Sequence, residues 1–338
     1  MHSIGRILFA VIKKLVTDMK KTLILGIFLL AVIVAGMVFL SNEQQGATAG
    51  TEPGTFQQLS VESTSNSNDI AGRLSHNLVM KNPAKATVNS VLLYKTQPPN
   101  VNKEATFALA KKFNVTGTLR GETAIQSDDL VFGVQLTKNS GSAEYMNARR
   151  PNEHLDAPKY LPSDEDAIKI ATKFLKDRDL YPEGAGDPTT YRENAYSDED
   201  TVTFGQIGVW YHRVLDGLNV EGTQYVVYVG GNGDVIGYYA NWRDYEPYKD
   251  MPVISPEVAF EKLATKGVPV GMNPTESRVS IEDIYLAYHT NAGAYEEDYL
   301  EPIWVFEGDV IADGKSVMPV KEYIPALSED SVKSLSSP

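Results

Sequence analysis

Residues 221–239 read EGTQYVVYVGGNGDVIGYY, and the role of Gly230-Gly231-Asn232-Gly233 in that stretch decides the fold. A phosphate-cradling dinucleotide loop needs G-x-G-x-x-G between a strand and the mouth of a helix, where backbone N–H groups meet the anion. The spacing here is wrong for that. Tyr225 to Val229 before the glycines and Val235 to Tyr239 after them are β-branched and aromatic runs, so no helix begins there. Asn232 and Gly233 tolerate the positive φ of a tight turn, and the stretch predicts a β-hairpin.

Working outward, three helix starts repeat one chemistry. Asn102, Ser163 and Ser255 are N-cap types, each with Glu two positions later, and Pro256 stands at the first helical position of the third. Apolar residues then fall at helical spacing: Ala105, Leu109 and Phe113; Ala167, Ala171 and Leu175; Ala259, Leu263 and Ala264. Strand-like sequence follows each helix. The expected fold class is therefore α+β, with about three helix-plus-antiparallel-meander units behind one N-terminal transmembrane helix.

That membrane helix is expected over residues 22–40, nineteen uncharged residues that cover ~28 Å at ~1.5 Å rise, close to the bilayer's hydrocarbon thickness. Arg6, Lys13, Lys14, Lys20 and Lys21 precede it against Asp18 alone, which keeps residues 1–21 cytoplasmic. Met19-Lys20-Lys21 offers an alternative start, and Ala47-Thr48-Ala49 a cleavage site that would yield a secreted form. Residues 41–75 and 328–338, rich in small and polar residues, read as a flexible tether and a flexible tail. Between them lie a first α+β unit (76–158), a second (159–250) and a third (251–327).

Of the 31 Lys and Arg and 44 Asp and Glu, 5 and 1 precede residue 41, leaving 26 against 43 and a formal charge of −17 beyond it. Such a field repels nucleic acid, which is excluded as a partner. With no cysteine, disulfides, thiolate nucleophiles and lipid-bearing thiols are all excluded, and the exported fold stands on its core.

The helix start SDEDAIKIATKFL, the stretch VWYHRVLDGLNVEGTQYVVYVGGNGDVIGYY, and then ISPEVAFEKL and IYLAYHTNAGAYEEDYLEPIWVFEG resemble the PepSY, YycI-like and thermolysin-type propeptide group of extracytoplasmic modules. The resemblance covers Leu161 to Leu327 and, more faintly, Val91 to Pro151. It implies membrane-tethered or secreted domains that inhibit peptidases or modulate sensor kinases by contact, although this chain carries no peptidase domain to restrain in cis.

No coherent catalytic set is legible. The closest two histidines are 58 residues apart, so no H-E-x-x-H exists, and His212 and His289 read as sheet or surface residues. No G-x-S-x-G elbow and no EF-hand spacing occur, and the carboxylate runs at 164–166, 198–200 and 296–298 read as caps and solvated loops, with adventitious calcium at one of them as the alternative. Catalytic residues, cofactors and metal ligands are accordingly expected to be none. Tyr238, Tyr239, Trp242, Tyr245, Tyr248, Tyr295 and Tyr299 form a candidate interaction surface, because Tyr and Trp join an apolar body to a polar tip. Asn114-Val115-Thr116 is a candidate glycosylation sequon.

The expected function is a membrane-anchored extracytoplasmic binding protein that regulates or inhibits another envelope protein, a sensor kinase or a peptidase, by contact. The alternatives are an extracytoplasmic hydrolase with carboxylate or histidine chemistry, and a structural or adhesive surface protein.

Overall fold

A computed structural model describes residues 73–75, 77–84, 88–147, 160–198, 201–270 and 277–335. In chain order, β1 (Arg73–Leu74), β2 (Leu78–Met80) and β3 (Ser90–Thr96) precede α1 (Lys103–Lys112). Four short strands follow: β4 (Thr118–Arg120), β5 (Ala124–Gln126), β6 (Phe132–Leu136) and β7 (Ala143–Asn147). After α2 (Asp164–Lys176) come β8 (Thr189–Asp198), β9 (Thr201–Trp210), β10 (Arg213–Leu215), β11 (Leu218–Glu221), β12 (Gln224–Val229), β13 (Val235–Asn241) and β14 (Tyr245–Pro252). Then α3 (Pro256–Lys266) leads to β15 (Val268–Pro269), β16 (Ser277–His289), β17 (Tyr299–Ala312), β18 (Lys315–Pro325) and α4 (Glu329–Leu335).

The helix starts follow their cap chemistry. Asn102, Ser163 and Ser255 each accept a hydrogen bond from the backbone N–H three residues on. Ala167, Ala171 and Leu175, four apart on one face of α2, are fully buried. The β12–β13 hairpin also forms, with Asn232 and Gly233 at φ 59° and 80° in its turn. Gly233 is further confined because a Cβ there would meet Ile170 of α2 at 2.9 Å.

The α+β expectation does not hold. The described chain is mostly strand, arranged as two eight-stranded sheets and a two-stranded β1–β15 pair rather than as three helix-plus-meander units. The second sheet runs β4-β5-β6-β7-β13-β12-β9-β8, all antiparallel. It fuses strands from residues 76–158 with strands from 159–250 through the β7–β13 pair. The first sheet runs β10-β11-β16-β17-β3-β14, with β2 on β16 and β18 on β17, and so draws strands from all three stretches. The physical reason is edge pairing. A lone meander leaves a row of backbone donors and acceptors unpaired at each side, and joining edges satisfies them.

The transmembrane helix expected at 22–40 lies outside the described residues, as do most of the tether and the candidate cleavage site. Among the described residues no helix is long and apolar enough to cross a membrane. Residues 329–335, expected in a flexible tail, form α4, and Val332 and Leu335 pack on Leu93, Met251 and Leu327.

Each sheet has its own core. Trp304, Phe306, Tyr288 and Ile281 of the first pack with Ala259 and Leu263 of α3. Val209, Val227, Tyr238 and Tyr145 of the second pack with α1 and α2. Lys112 at the end of α1 donates to the carbonyls of Arg178 and Asp179 at 2.8 and 3.0 Å, fastening α1 to the carboxyl end of α2.

Candidate functional site

The chain leaves the second sheet at Asn241 and enters the first at Tyr245, and the residues at this crossing build a buried polar joint. Arg243 is 3% exposed and donates to the carbonyls of Asn139 (3.2 Å), Ala292 (3.2 Å) and Tyr295 (2.6 Å). Its Nε faces Glu297 Oε1 at 3.8 Å. Glu297 accepts from the Asn291 backbone N–H (2.6 Å), Thr290 Oγ1 (3.1 Å), the Tyr245 hydroxyl (2.8 Å) and Thr96 Oγ1 (3.2 Å). Asn241 and Asn139 donate to the carbonyls of Asn291 and Ala294, both at 2.9 Å. The loop 290–298 is thereby fastened from both sheets. Arg213 stacks over Trp242 and Tyr245 and donates to the Arg243 carbonyl at 2.5 Å.

The seven predicted aromatic residues divide by depth around this joint. Tyr238 is 3% exposed and belongs to the core, where its hydroxyl donates to that of Tyr225 at 3.0 Å. Tyr239 and Trp242 are half-buried; Trp242 meets Tyr225 edge-on with ring centres 5.1 Å apart. The Tyr245 hydroxyl is spent inside the joint, and burial followed by the Glu297 carboxylate pushes that phenol well up. Two residues face outward: Tyr248 at 51% exposure packs against Tyr299 with ring centres 5.5 Å apart, and Tyr295 at 66% rides on the fastened loop, while Tyr299 itself is half-buried against Leu93, Met251 and Leu327. Asn114 is exposed at the end of α1 with φ 55°.

Two titratable groups of shifted acidity stand side by side on the first sheet. His289 and Glu301 are direct cross-strand partners on β16 and β17 and leave the same face. Burial lowers the imidazole to about 4, and its Nδ1 has no hydrogen-bond partner. Burial, then the nearby Glu297, raises the Glu301 carboxyl to about 8. His212 is exposed, shares a 2.7 Å hydrogen bond with Thr189 and stacks beside Trp210. Asp164, Glu165 and Asp166 form the exposed first turn of α2, where Glu165 pairs with Lys169 at 2.7 Å. Among the described residues no cluster of three or more His, Asp or Glu is placed to hold a metal ion.

Arg243 escaped the sequence reading, its only signal being a basic residue inside the aromatic run NWRDY. Glu297, read as part of a solvated carboxylate run at 296–298, is instead buried, because it accepts hydrogen bonds from both flanking strands and its own loop.

No family model matches the chain, and no curated protein does. Among solved structures, an uncharacterized protein from Eubacterium rectale ATCC 33656 is similar at 14% identity and TM-score 0.45, covering 75% of this chain and 90% of that one. The Bacillus megaterium YpeB C-terminal domain is similar at 17% identity and TM-score 0.31, covering 67% of this chain and 99% of that one. Likenesses this loose leave fold and function to be argued from the chain's own residues.

Proposed function

We propose that this chain is an extracytoplasmic binding protein, held at the cytoplasmic membrane through residues 22–40, that regulates or inhibits another envelope protein by contact. The carrying observation is that two exposed tyrosines, Tyr248 leaning on the half-buried Tyr299 and Tyr295 on the loop 290–298, stand beside the joint in which Arg243 and Glu297 fasten that loop. Rigid aromatic anchors lose little entropy on binding, which is what contact surfaces select. β14 closes the first sheet, and Pro247, Pro252 and a bulge between Pro247 and Lys249 blunt that edge against strand addition. Contact there is made through side chains. The resemblance to PepSY and YycI-like modules supports action by contact, and the uncharged run at 22–40 supports the tether.

The test is recovery of partners from cross-linked membranes with the full chain as bait. A sensor kinase or peptidase is expected, and Tyr248→Ala with Tyr295→Ala should abolish its recovery without lowering the melting temperature. Equal recovery by the double variant would overturn this assignment of the surface.

A further inference from the structure

α1 and α2 cover only one face of the second sheet. On the other face one row of residues crosses six strands in the order Tyr191, Gly208, Tyr228, Gly237, Met146, Gly133, each paired in register with the next. Large side chains alternate with glycines, and each large one lies toward the next glycine. A Cβ at Gly208 would run into the Tyr191 ring, one at Gly237 would meet Tyr228 Cδ2 at 3.1 Å, and one at Gly133 would meet Met146 Cε at 3.8 Å. The side chains therefore lie down along the sheet as a flat stripe of about 24 Å, five inter-strand steps of ~4.8 Å. Trp210 flanks it, with its ring centre 5.3 Å from that of Tyr191.

The polar groups beside the stripe are amides and carboxylates. β6, β7, β8, β9, β12 and β13 hold a single base, Arg192, and it pairs with Asp164 of α2 on the opposite side at 2.7 Å. Among the described residues of these strands an anionic ligand finds no free counter-charge. For a cation the face offers one carboxylate, Glu193, which accepts from the neutral Gln206 Nε2 at 2.6 Å, while burial pushes Glu144 toward its neutral form. Gln206, 5% exposed, also has an Oε1 with no donor, so a hydrogen-bond acceptor beside the stripe is unused. Aromatic faces, with the Tyr191 and Trp210 rings inclined by 51°, and amide and carboxylate hydrogen-bonding groups at their side match the alternating C–H faces and hydroxyls of a sugar chain.

We propose that the helix-free face of the second sheet, along Tyr191, Trp210 and Tyr228, binds a neutral glycan chain. It is a separate surface from that of Tyr248 and Tyr299, so the two assignments succeed or fail independently.

Calorimetric titration of the full chain, in a detergent without a sugar headgroup, with cellohexaose and with chitohexaose tests this. Saturable binding of at least one hexasaccharide is expected, unchanged by ~0.5 M salt because no charge is paired. Tyr191→Ala and Trp210→Ala should each weaken it about tenfold or more, the loss of one stacking contact, while Tyr248→Ala should leave it intact. Two positions keep the test open should one variant fail to fold. Absence of binding by both hexasaccharides, or equal affinity in a folded Tyr191→Ala or Trp210→Ala variant, would overturn the proposal. So would salt-sensitive binding of oligolysine in place of the sugars, which would assign the face to a basic partner.

Discussion

Arg243 and Glu297 face one another at 3.8 Å with side chains 2% and 3% exposed, where the chain crosses from one eight-stranded sheet to the other. The separation is long for a direct ion pair, and each charge is held mainly by other hydrogen bonds: three carbonyls for Arg243, and a backbone N–H with three hydroxyls for Glu297. The pair acts as a joint rather than as a simple salt bridge.

Arg243→Ala is expected to cost about 3–5 kcal/mol, because it removes the nearer of the two cations beside the buried Glu297, leaving Arg213, and frees three carbonyls. Denaturant unfolding measures it. Adding Glu297→Gln should recover part of the loss, and a cost below about 1 kcal/mol for the single variant would deny the joint its role.

Glu301 predicts a loss of stability at rising pH. Its carboxyl is raised to about 8 in the fold against roughly 4.3 when unfolded, so the folded state binds the extra proton. The contribution is complete below about pH 4.3 and is lost as pH rises through 8. Glu301→Gln should therefore gain on the wild type progressively across that window; parallel curves of melting temperature against pH would contradict it.

His289 acts in the opposite sense. With its imidazole lowered to about 4 against roughly 6.5 unfolded, its contribution is complete above pH 6.5 and is lost as pH falls through 4. His289→Gln should flatten the acid limb of the stability curve, and an unchanged limb would show that other groups set it.

Asn102 caps α1 by accepting from the Ala105 N–H at 2.8 Å. Asn102→Ala should cost about 1 kcal/mol, read as a shift in denaturation midpoint, and Asn102→Ser much less. Equal losses for the two would mean that the side chain serves another contact.

Local chemistry was legible in the sequence wherever the partners lie within a few residues. The caps at Asn102, Ser163 and Ser255, the burial of Ala167, Ala171 and Leu175, and the hairpin about Asn232 and Gly233 all follow from i to i+3 or i+4 geometry and from the φ preferences of single residues. Strand content was legible too, through its β-branched and aromatic runs.

Which strands become neighbours was decided only in three dimensions. Nothing in AEYMN or VIGYYAN says that β7 and β13 pair, because unpaired backbone groups look alike on every strand edge. For the same reason Tyr238 and Tyr239, adjacent in sequence, part into the core and the helix-free face once the period-2 pleat is placed in a sheet. The Arg243–Glu297 joint and the Tyr191-to-Gly133 stripe likewise exist only after distant segments meet. Short-range preferences shape each element, whereas the pairing of distant edges depends on the closure of long loops and on burial, which no local stretch encodes.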